Sequence, residues 1–255
     1  MQSEKLQLSV VIITKDEEDN IESCLKSVYG WVDEIIVVDD ESKDRTVDIA
    51  RNYTNKILIR KMDIEGRHRN WAYSNANNEW VLSLDADERI TEELKEEIKE
   101  ALTNSEFVAY SIPLRNFIGD YWVRFGGWYP AAKVRLFKKD KFRYEDVSVH
   151  PRVFIDGECG HLHSDIIHKG YPDFGHFLSS LNSQTTLEAE KWYTTGRRMS
   201  MPRAFWRTID RFFRRYIRKK GYKDGFYGFM IALFDSLYQI MSFAKYYEMK
   251  RKDKL

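Results

Sequence analysis

Three acidic residues at the end of a short apolar run have types and spacing suited to metal or phosphate chemistry. The apolar run 80–84 ends in Asp85, and Asp87 and Glu88 come just after it. Neighbouring side chains of a strand alternate faces, so Asp85 and Asp87 leave the same side of it. Two carboxylates this close repel each other, and Mg²⁺ or Mn²⁺ carried by a substrate phosphate suits such a pair. A solvated acidic turn is the structural alternative, and the pair alone does not decide between the two.

The composition excludes several classes of protein. The chain has 255 residues, enough for one large domain or one domain with an appendage. Its 41 basic and 40 acidic residues give a net charge of +1, so no overall positive field favours nucleic acid. Cys24 and Cys159 are too few for a disulfide framework, and the first residues show no signal-peptide pattern. We therefore predict a cytoplasmic protein.

Apolar periodicity in the first half predicts strands that alternate with helices. The predicted strands are residues 8–13, 34–38, 56–59 and 80–84, and the predicted helices are 21–28, 42–50, 67–77 and 91–102. The first strand is almost wholly apolar and β-branched, which is typical of a strand covered on both faces. The alternation predicts an α/β fold with a mainly parallel, Rossmann-like sheet and helices on both of its faces.

Acidic residues follow three of these strands. They are Asp16 and Glu17, Asp39 and Asp40, and Asp85 and Asp87. Ligands of such sheets bind outside the carboxyl ends of the strands, so we expect these side chains to line a crevice there. The first turn carries neither a dinucleotide-binding glycine fingerprint nor a Walker sequence. An acidic crevice still suits a nucleotide, because carboxylates accept from a base or from ribose hydroxyls. The cations at 67–69 either neutralise its phosphates or form an exposed helix start.

Four blocks of sequence occur in an order that is more specific than any one of them. They are Thr14-Lys15-Asp16-Glu17-Glu18, Asp39-Asp40-Glu41-Ser42-Lys43-Asp44, Arg69-Asn70 and Asp85-Ala86-Asp87-Glu88. Together they resemble family 2 glycosyltransferases of the GT-A fold, and most of all the bacterial enzymes that build lipopolysaccharide core and related surface glycans. The resemblance is strong over residues 8–102 and looser to about residue 170.

The resemblance implies a donor site for a nucleotide-diphosphate sugar, with UDP sugars the expected donors. Thr14 and Glu17 would line the nucleotide pocket, and Asp39 would hydrogen-bond the base. Arg69 would approach the diphosphate. Asp16 is a departure from the pattern, because the similar enzymes usually have Asn at this position.

The resemblance also implies a divalent cation, Mg²⁺ or Mn²⁺, between protein and diphosphate. Asp87 would bind it, Asp85 would lie near the ribose and the metal, and His168 matches a late histidine ligand. A zinc cluster of Cys159 with the nearby histidines is the alternative, but its spacing fits no standard finger.

Such enzymes invert the anomeric centre and need a base to take the acceptor hydroxyl's proton. Similar enzymes often carry Val-His-Glu in this region, whereas this chain has Pro151 in place of the glutamate. The alternatives are Asp146, which we favour, Glu145, and His150 as a helper. Trp128 lies in an aromatic Gly/Pro segment and could stack on a sugar, although packing under a loop is the commoner use of such rings.

The tail from Pro202 has a basic and an aromatic face. Aromatic residues recur at helical spacing between 205 and 216, and arginines lie on the other side. A strongly apolar run, 226–234, is interrupted by Asp235 and Gln239 and is short for a clear membrane-spanning helix. We predict a helical extension that lies on an anionic membrane surface, with packing on the sheet or an oligomer contact as alternatives.

These features predict an inverting, metal-dependent glycosyltransferase on the inner face of the cytoplasmic membrane, acting on a lipopolysaccharide-core or other lipid-linked glycan acceptor. We predict a nucleotide-sugar-binding part (1–115), an acceptor and catalytic-base part (116–196) and the tail (197–255). The alternatives are a non-catalytic sugar- or lipid-binding module of the same fold and a metal-dependent phosphotransfer domain. No nucleic-acid partner is expected, and the sequence leaves an oligomer open.

Overall fold

The chain forms two compact units that are interleaved in sequence. The structure, a computed structural model, describes residues 5–103, 106–147 and 152–252. The first unit comprises Met1–Leu114 and Ala132–His168, and the second Arg115–Ala131 and Lys169–Leu255. The three-part division at residues 115 and 196 stays a prediction.

Strands dominate the first unit and helices dominate the second. The strands are β1 (Leu6–Thr14), β2 (Val32–Asp39), β3 (Ile57–Ile59), β4 (Trp80–Asp85), β5 (Glu88–Ile90), β6 (Ala109–Ile112), β7 (Leu114–Ile118), β8 (Tyr121–Trp122), β9 (Lys133–Lys138), β10 (Phe142–Tyr144), β11 (Val153–Ile155), β12 (Cys159–His161) and β13 (Ile166–Tyr171). The helices are α1 (Ile21–Val28), α2 (Thr46–Ala50), α3 (Glu65–Ser74), α4 (Glu92–Thr103), α5 (Phe174–Thr194), α6 (Met201–Phe213) and α7 (Gly225–Lys252).

The first unit is built on a twisted sheet in the order β12-β6-β9-β4-β1-β2-β3. Its centre is parallel, because β1 pairs in parallel with β2 and with β4, while β9 runs antiparallel to β4 and to β6. The register places Thr14 opposite Asp39 and Ile13 opposite Asp85. The carboxyl ends of β1, β2 and β4, with their polar residues, therefore meet at one edge of the sheet.

Both faces of this sheet are covered, as the apolar pattern of the first strand predicts. Leu8, Val10 and Ile12 of β1 lie in a core cluster with residues of α1 and α4, whereas Val11 lies in a second cluster with residues of α3. Alternate side chains of a strand face opposite ways, so a strand that is apolar throughout needs a layer of helices on each side. The predicted α/β architecture is confirmed.

The second unit is a helical body in which α7 packs against both α5 and α6. An aromatic cluster lies at its centre, built around the buried Phe177 and Ile231. The buried Asp224 accepts hydrogen bonds from the backbone N–H of Phe125 (2.7 Å) and from the Tyr121 hydroxyl (3.2 Å). These bonds hold the chain before α7 against the loop after β8.

Helix α7 continues through Asp235 and Gln239, which the sequence suggested as interruptions of the apolar run. Asp235 pairs with Arg215, and Gln239 lies 3.5 Å from a guanidinium nitrogen of Arg207. Both polar residues thus have partners within the helical body. The stretch Gly221–Lys252 is long and apolar enough to cross a membrane by length and composition, a test that core helices of soluble proteins also pass.

Candidate active site

A cleft of about 270 Å³ opens at the carboxyl ends of β1 and β4 in the first unit. Its lining residues are Ile13, Thr14, Lys15, Glu17, Asp40, Met62, Asp85, Ala86, Asp87 and His168. Predicted nucleotide and metal residues from positions as far apart as 14 and 168 therefore meet in one place. This is the edge at which open α/β sheets bind their ligands.

Two buried oxygen atoms at this edge have no hydrogen-bond partner within the described residues. The Thr14 hydroxyl is one, and Oδ1 of Asp39 is the other, with side chains only 3% and 1% exposed. Oδ2 of Asp39 accepts from the backbone N–H of Ser42 at 2.9 Å, which fixes the carboxylate while leaving Oδ1 available. Buried polar atoms nearly always have hydrogen-bond partners. Two such atoms, in register on adjacent strands and without a partner among the described residues, indicate a place for ligand donors and acceptors.

Two further acidic residues at these strand ends, Glu17 and Asp40, differ in their hydrogen-bond partners. Glu17 accepts from the Asn20 side chain at 2.8 Å, and its burial, with the charge of Asp87, raises the pKa of the Glu17 carboxyl. Asp40 accepts from Lys15 (2.9 Å) and from the backbone N–H of Met62 (2.7 Å). Asp40 therefore ties the segments after β1 and β3 to the end of β2, and both Asp40 and Glu17 line the cleft.

A buried ion network joins the Asp85 strand end to its neighbours. Asp85 accepts from Arg69 at 2.9 Å and from Arg135 at 2.7 Å. Arg135 also donates to Glu88, and Glu88 in turn accepts from the backbone N–H of Asp85 at 3.0 Å. Arg135 and Glu88 are 1% and 0% exposed, so this pairing takes place away from water.

The network shifts the pKa values of Asp85 and Glu88 in opposite directions. Burial opposes ionisation of Asp85, but the Arg135 and Arg69 guanidiniums outweigh it and hold the pKa of Asp85 well below its usual range. Burial, with the adjacent charge of Asp85, raises the pKa of Glu88 even though Arg135 opposes the shift. Asp85 is therefore a fixed anion, and its two oxygens are directed at arginines.

Arg135 is the residue that the sequence reasoning missed. A charged residue between the apolar Val134 and Leu136 of a strand is itself a signal, because arginine is almost never fully buried unless it is paired. Only the fold shows that its partners come from the Asp85 block, about fifty positions earlier in the chain.

Asp87 and His168 meet in the cleft. Nε2 of His168 lies 3.2 Å from Oδ2 of Asp87, and both side chains are largely buried. Burial alone would lower the pKa of the His168 imidazole, but the hydrogen bond and the charge of Asp87 raise it. The sequence separation of these residues is 81 positions, yet the pairing of β13 with β5 places His168 directly opposite Glu88.

A divalent cation fits this pair of side chains better than it fits Asp85. No group of three or more His, Cys, Asp or Glu side chains in the described ranges is arranged to hold a metal ion by itself. Mg²⁺, however, is commonly held by one or two protein ligands and completed by substrate phosphates. Asp87 and His168 supply a carboxylate oxygen and an imidazole nitrogen to the same cleft, whereas the Asp85 oxygens already contact Arg69 and Arg135.

Two of the candidate bases, Asp146 and Glu145, each pair with an arginine. Oδ2 of Asp146 accepts from Nε of Arg67 at 3.2 Å, and the Asp146 side chain is half exposed. Glu145 is held by both branches of the Arg152 guanidinium, with 2.9 Å to Nε. His150, the suggested helper, lies outside the described residues.

Next to these acids is a second cleft, of about 370 Å³, on the same unit. Its lining residues are Glu65, Arg69, Ala132, Lys133, Val134, Arg135, Tyr144 and Val153. Arg69 and Arg135 thus contact Asp85 and also border this cleft.

Trp128, the predicted sugar-stacking residue, belongs to the second unit. Its ring lies 5.9 Å from that of Phe177 and 6.1 Å from that of Tyr171, measured between centroids. The indole therefore packs within the aromatic cluster of that unit, and its part in acceptor binding stays a prediction.

Comparison with known proteins agrees with this geometry. The sequence profile described as glycosyl transferase family 2 matches residues 9–157. The chain is 27% identical to a glycosyltransferase of Rickettsia typhi, with 97% of this chain and 89% of that one covered. It is 25% identical to the lipopolysaccharide core biosynthesis glycosyltransferase LpsC of Rhizobium meliloti, with 96% and 93% covered.

Among solved structures, that of S. aureus TarS 1–349 in complex with UDP matches with a TM-score of 0.50 at 14% identity, covering 94% of this chain and 89% of that one. This likeness concerns the fold, which is of the GT-A type. The family profile spans more than half of the chain, and it favours glycosyl transfer over phosphotransfer and over a binding module without activity. The chain therefore belongs to glycosyl transferase family 2, and it is a glycosyltransferase.

Proposed function

We propose that this enzyme transfers a sugar, with inversion, from a UDP sugar to a lipopolysaccharide-core or other lipid-linked surface-glycan acceptor. The observation that carries the donor half of the proposal is the pair of buried oxygens on Thr14 and Asp39 that have no hydrogen-bond partner among the described residues. A pyrimidine base offers an N–H that Asp39 Oδ1 would accept, and ribose hydroxyls suit the oxygens around Thr14 and Glu17. The UDP bound to TarS and the naming of LpsC support the choice of donor and acceptor class.

The residues proposed for the diphosphate are Arg69, Asp87 and His168. Nη1 of Arg69 is buried and has no hydrogen-bond partner within the described residues, although Nη2 of the same group pairs with Asp85. Asp85 thus orients the guanidinium and leaves a donor for a phosphate oxygen. Asp87 and His168 would hold a Mg²⁺ or Mn²⁺ ion. When bound, such an ion neutralises charge that develops on the departing diphosphate.

We propose Asp146 as the base that takes the proton of the acceptor hydroxyl. Glu145 is engaged by two nitrogens of Arg152, whereas the one contact of Asp146 with the described residues is an exposed pairing with Arg67. An exposed contact of this kind contributes little free energy, so an acceptor can displace it. The cleft between Arg69 and Tyr144, directly before these acids, is the proposed acceptor site.

We propose that the tail holds the enzyme on the anionic inner face of the cytoplasmic membrane. Met201, Phe205, Trp206, Phe213 and Ile217 are each more than half exposed on α6 and the turn after it. Arginines occupy the same segment. Apolar and basic side chains side by side are the features that bind interfacial helices to anionic lipids.

The test is donor binding and donor hydrolysis with uridine, guanosine and thymidine diphosphate sugars, in Mn²⁺, in Mg²⁺ and in chelator. We expect binding of a UDP sugar that requires the cation. Asp87→Asn should reduce donor hydrolysis at least about 100-fold while the protein stays folded. Asp156→Asn is the matched control, because the side chain of Asp156 is 83% exposed and pairs only with Lys141 in the described structure. Full activity of Asp87→Asn, or no binding of any nucleotide sugar, would contradict the proposal.

A further inference from the structure

A basic cleft of about 420 Å³ lies within the second unit, on α6, the turn after it and α7. We call it the arginine cleft. Its lining residues are Arg207, Asp210, Arg211, Arg214, Arg215, Lys219 and Gln239. No step of the proposed sugar transfer uses any of them.

The positive charge of the arginine cleft is only partly compensated. Asp210 pairs with Arg214 at 3.0 Å, and Asp235 pairs with Arg215. In the part of the chain that the structure describes, no carboxylate lies within ion-pair distance of Arg207, Arg211 or Lys219. A guanidinium nitrogen of Arg207 donates to the amide oxygen of Gln239 at 3.5 Å, and the Arg211 guanidinium lies over the Tyr238 ring, 5.1 Å from its centroid.

The crowding of these cations has an electrostatic cost. Burial, together with Arg211 and Arg214 of the same cleft, lowers the pKa of Arg215 despite its pairing with Asp235. The pKa of Arg207 is lowered by burial and by Arg197 and Arg203, which lie outside the cleft lining. Like charges held together in a partly buried site repel one another unless an anion lies between them. A bound anion would therefore be stabilised by the same arrangement that destabilises the empty cleft.

The backbone is shaped to bring these cations together. Residues Arg214–Arg218 form a π-helical turn, in which the backbone N–H of Lys219 donates to the carbonyl of Arg214 at 2.9 Å. A regular α-helix would rotate Lys219 away from the row that Arg207, Arg211 and Arg214 form at intervals of three and four residues. Such widened turns are rare and occur often at functional sites.

The surroundings favour a phosphate that belongs to a lipid. Trp206 and Phe213 are 68% and 56% exposed. They lie four residues before and three residues after Asp210, so they are its direct neighbours on the surface of α6. A guanidinium group can bind two oxygens of one phosphate at once. Exposed apolar side chains beside such a site suit the acyl chains of a lipid rather than water.

We propose that the arginine cleft is a specific binding site for the phosphate of an anionic membrane lipid, with Trp206 and Phe213 inserted beside it. The proposal rests on the membrane association proposed above and deepens it, because it names one stoichiometric site in place of a diffuse basic surface. It does not depend on sugar transfer.

The test compares two double variants that remove the same charge. Arg207→Gln/Arg211→Gln alters the cleft, and Arg218→Gln/Lys220→Gln removes two exposed cations of the same segment that do not line it. Binding is measured by co-sedimentation with phosphatidylcholine vesicles that carry phosphatidic acid, and with vesicles that carry phosphatidylserine at equal surface charge. Thermal melting and donor binding check that both variants are folded.

We expect the cleft variant to lose at least about tenfold more affinity for phosphatidic acid vesicles than the control variant, with a smaller difference on phosphatidylserine. Equal losses in the two variants would overturn the proposal and leave diffuse attraction to the membrane. Absence of vesicle binding by the unaltered protein would overturn both this proposal and membrane association. A separate titration with inorganic phosphate and pyrophosphate tests whether the bound phosphate comes from a lipid. Saturable binding of these anions without any lipid preference would overturn the proposal and show a site for a soluble anion.

Discussion

Replacement of Arg135 by methionine should destabilise the first unit strongly, because it removes the shared partner of two acidic residues. Methionine is close to arginine in length and keeps the apolar part of the side chain. Its introduction leaves Glu88, which is fully buried, without its cation, and leaves Asp85 with Arg69 alone. Breaking a buried ion pair by removing one partner typically costs about 3–5 kcal/mol.

The matched control is Arg51→Met. Arg51 pairs with Asp48 at 2.7 Å, the same distance as Arg135 to Asp85, but the two side chains are 66% and 71% exposed. Exposed pairs contribute about 0–1 kcal/mol, since water and salt screen both charges. The same substitution thus removes an arginine at the same pairing distance from an exposed pair with one carboxylate and from a buried network with two.

The assay is thermal and urea unfolding of both variants and of the unaltered protein. A loss of about 3–5 kcal/mol corresponds to a fall in Tm of about 6–20 °C for a domain of this size, whereas the control should fall by no more than a few degrees. Arg135→Lys should lie between them, because it keeps the charge but loses the planar fork that reaches two carboxylates. If Arg135→Met were as stable as Arg51→Met, the argument that the buried network stabilises the strand end would be refuted.

Three further predictions concern other parts of the chain. Glu34→Gln should cost about 1.5–3 kcal/mol at neutral pH, because hydrogen bonds to its carboxylate outweigh burial and lower the pKa of Glu34. That difference should shrink as the pH falls below the ordinary glutamate value of 4.5 and through the lowered native value, which urea unfolding at several pH values would measure. Thr14→Val should change the free energy of unfolding by no more than about 0.5 kcal/mol, since the Thr14 hydroxyl has no partner in the described chain. Calorimetry should show about 5- to 10-fold weaker donor binding, and equal donor affinity would remove Thr14 from the proposed site. Gly228→Ala should destabilise the second unit by about 1–3 kcal/mol, because a Cβ there would lie 1.9 Å from the carbonyl oxygen of Gly221. Thermal melting measures this loss, and an unchanged Tm would contradict the predicted clash.

The sequence predicts residues of the buried ion network but not the contacts that they make. The order of the motifs and the resemblance that they carry brought out Asp85, Asp87 and Arg69 as parts of one site. They did not indicate that the Asp85 oxygens would be directed at Arg69 and Arg135, leaving Asp87 and His168 as the pair that fits a cation. Which of two neighbouring carboxylates is available to a cation depends on its burial and on partners that are distant in the sequence. The spacing of two aspartates predicts neither of these.

The sequence by itself determined the α/β alternation, the parallel centre of the sheet and the edge at which polar residues gather. Those features follow from local patterns, because side-chain period and turn chemistry act over a few residues. Tertiary structure alone decided that the two units are interleaved, that His168 lies opposite Glu88, and that α7 contributes Gln239 to the arginine cleft. Such contacts join residues far apart in the chain, and they are selected by the packing and desolvation of whole elements rather than by any local signal.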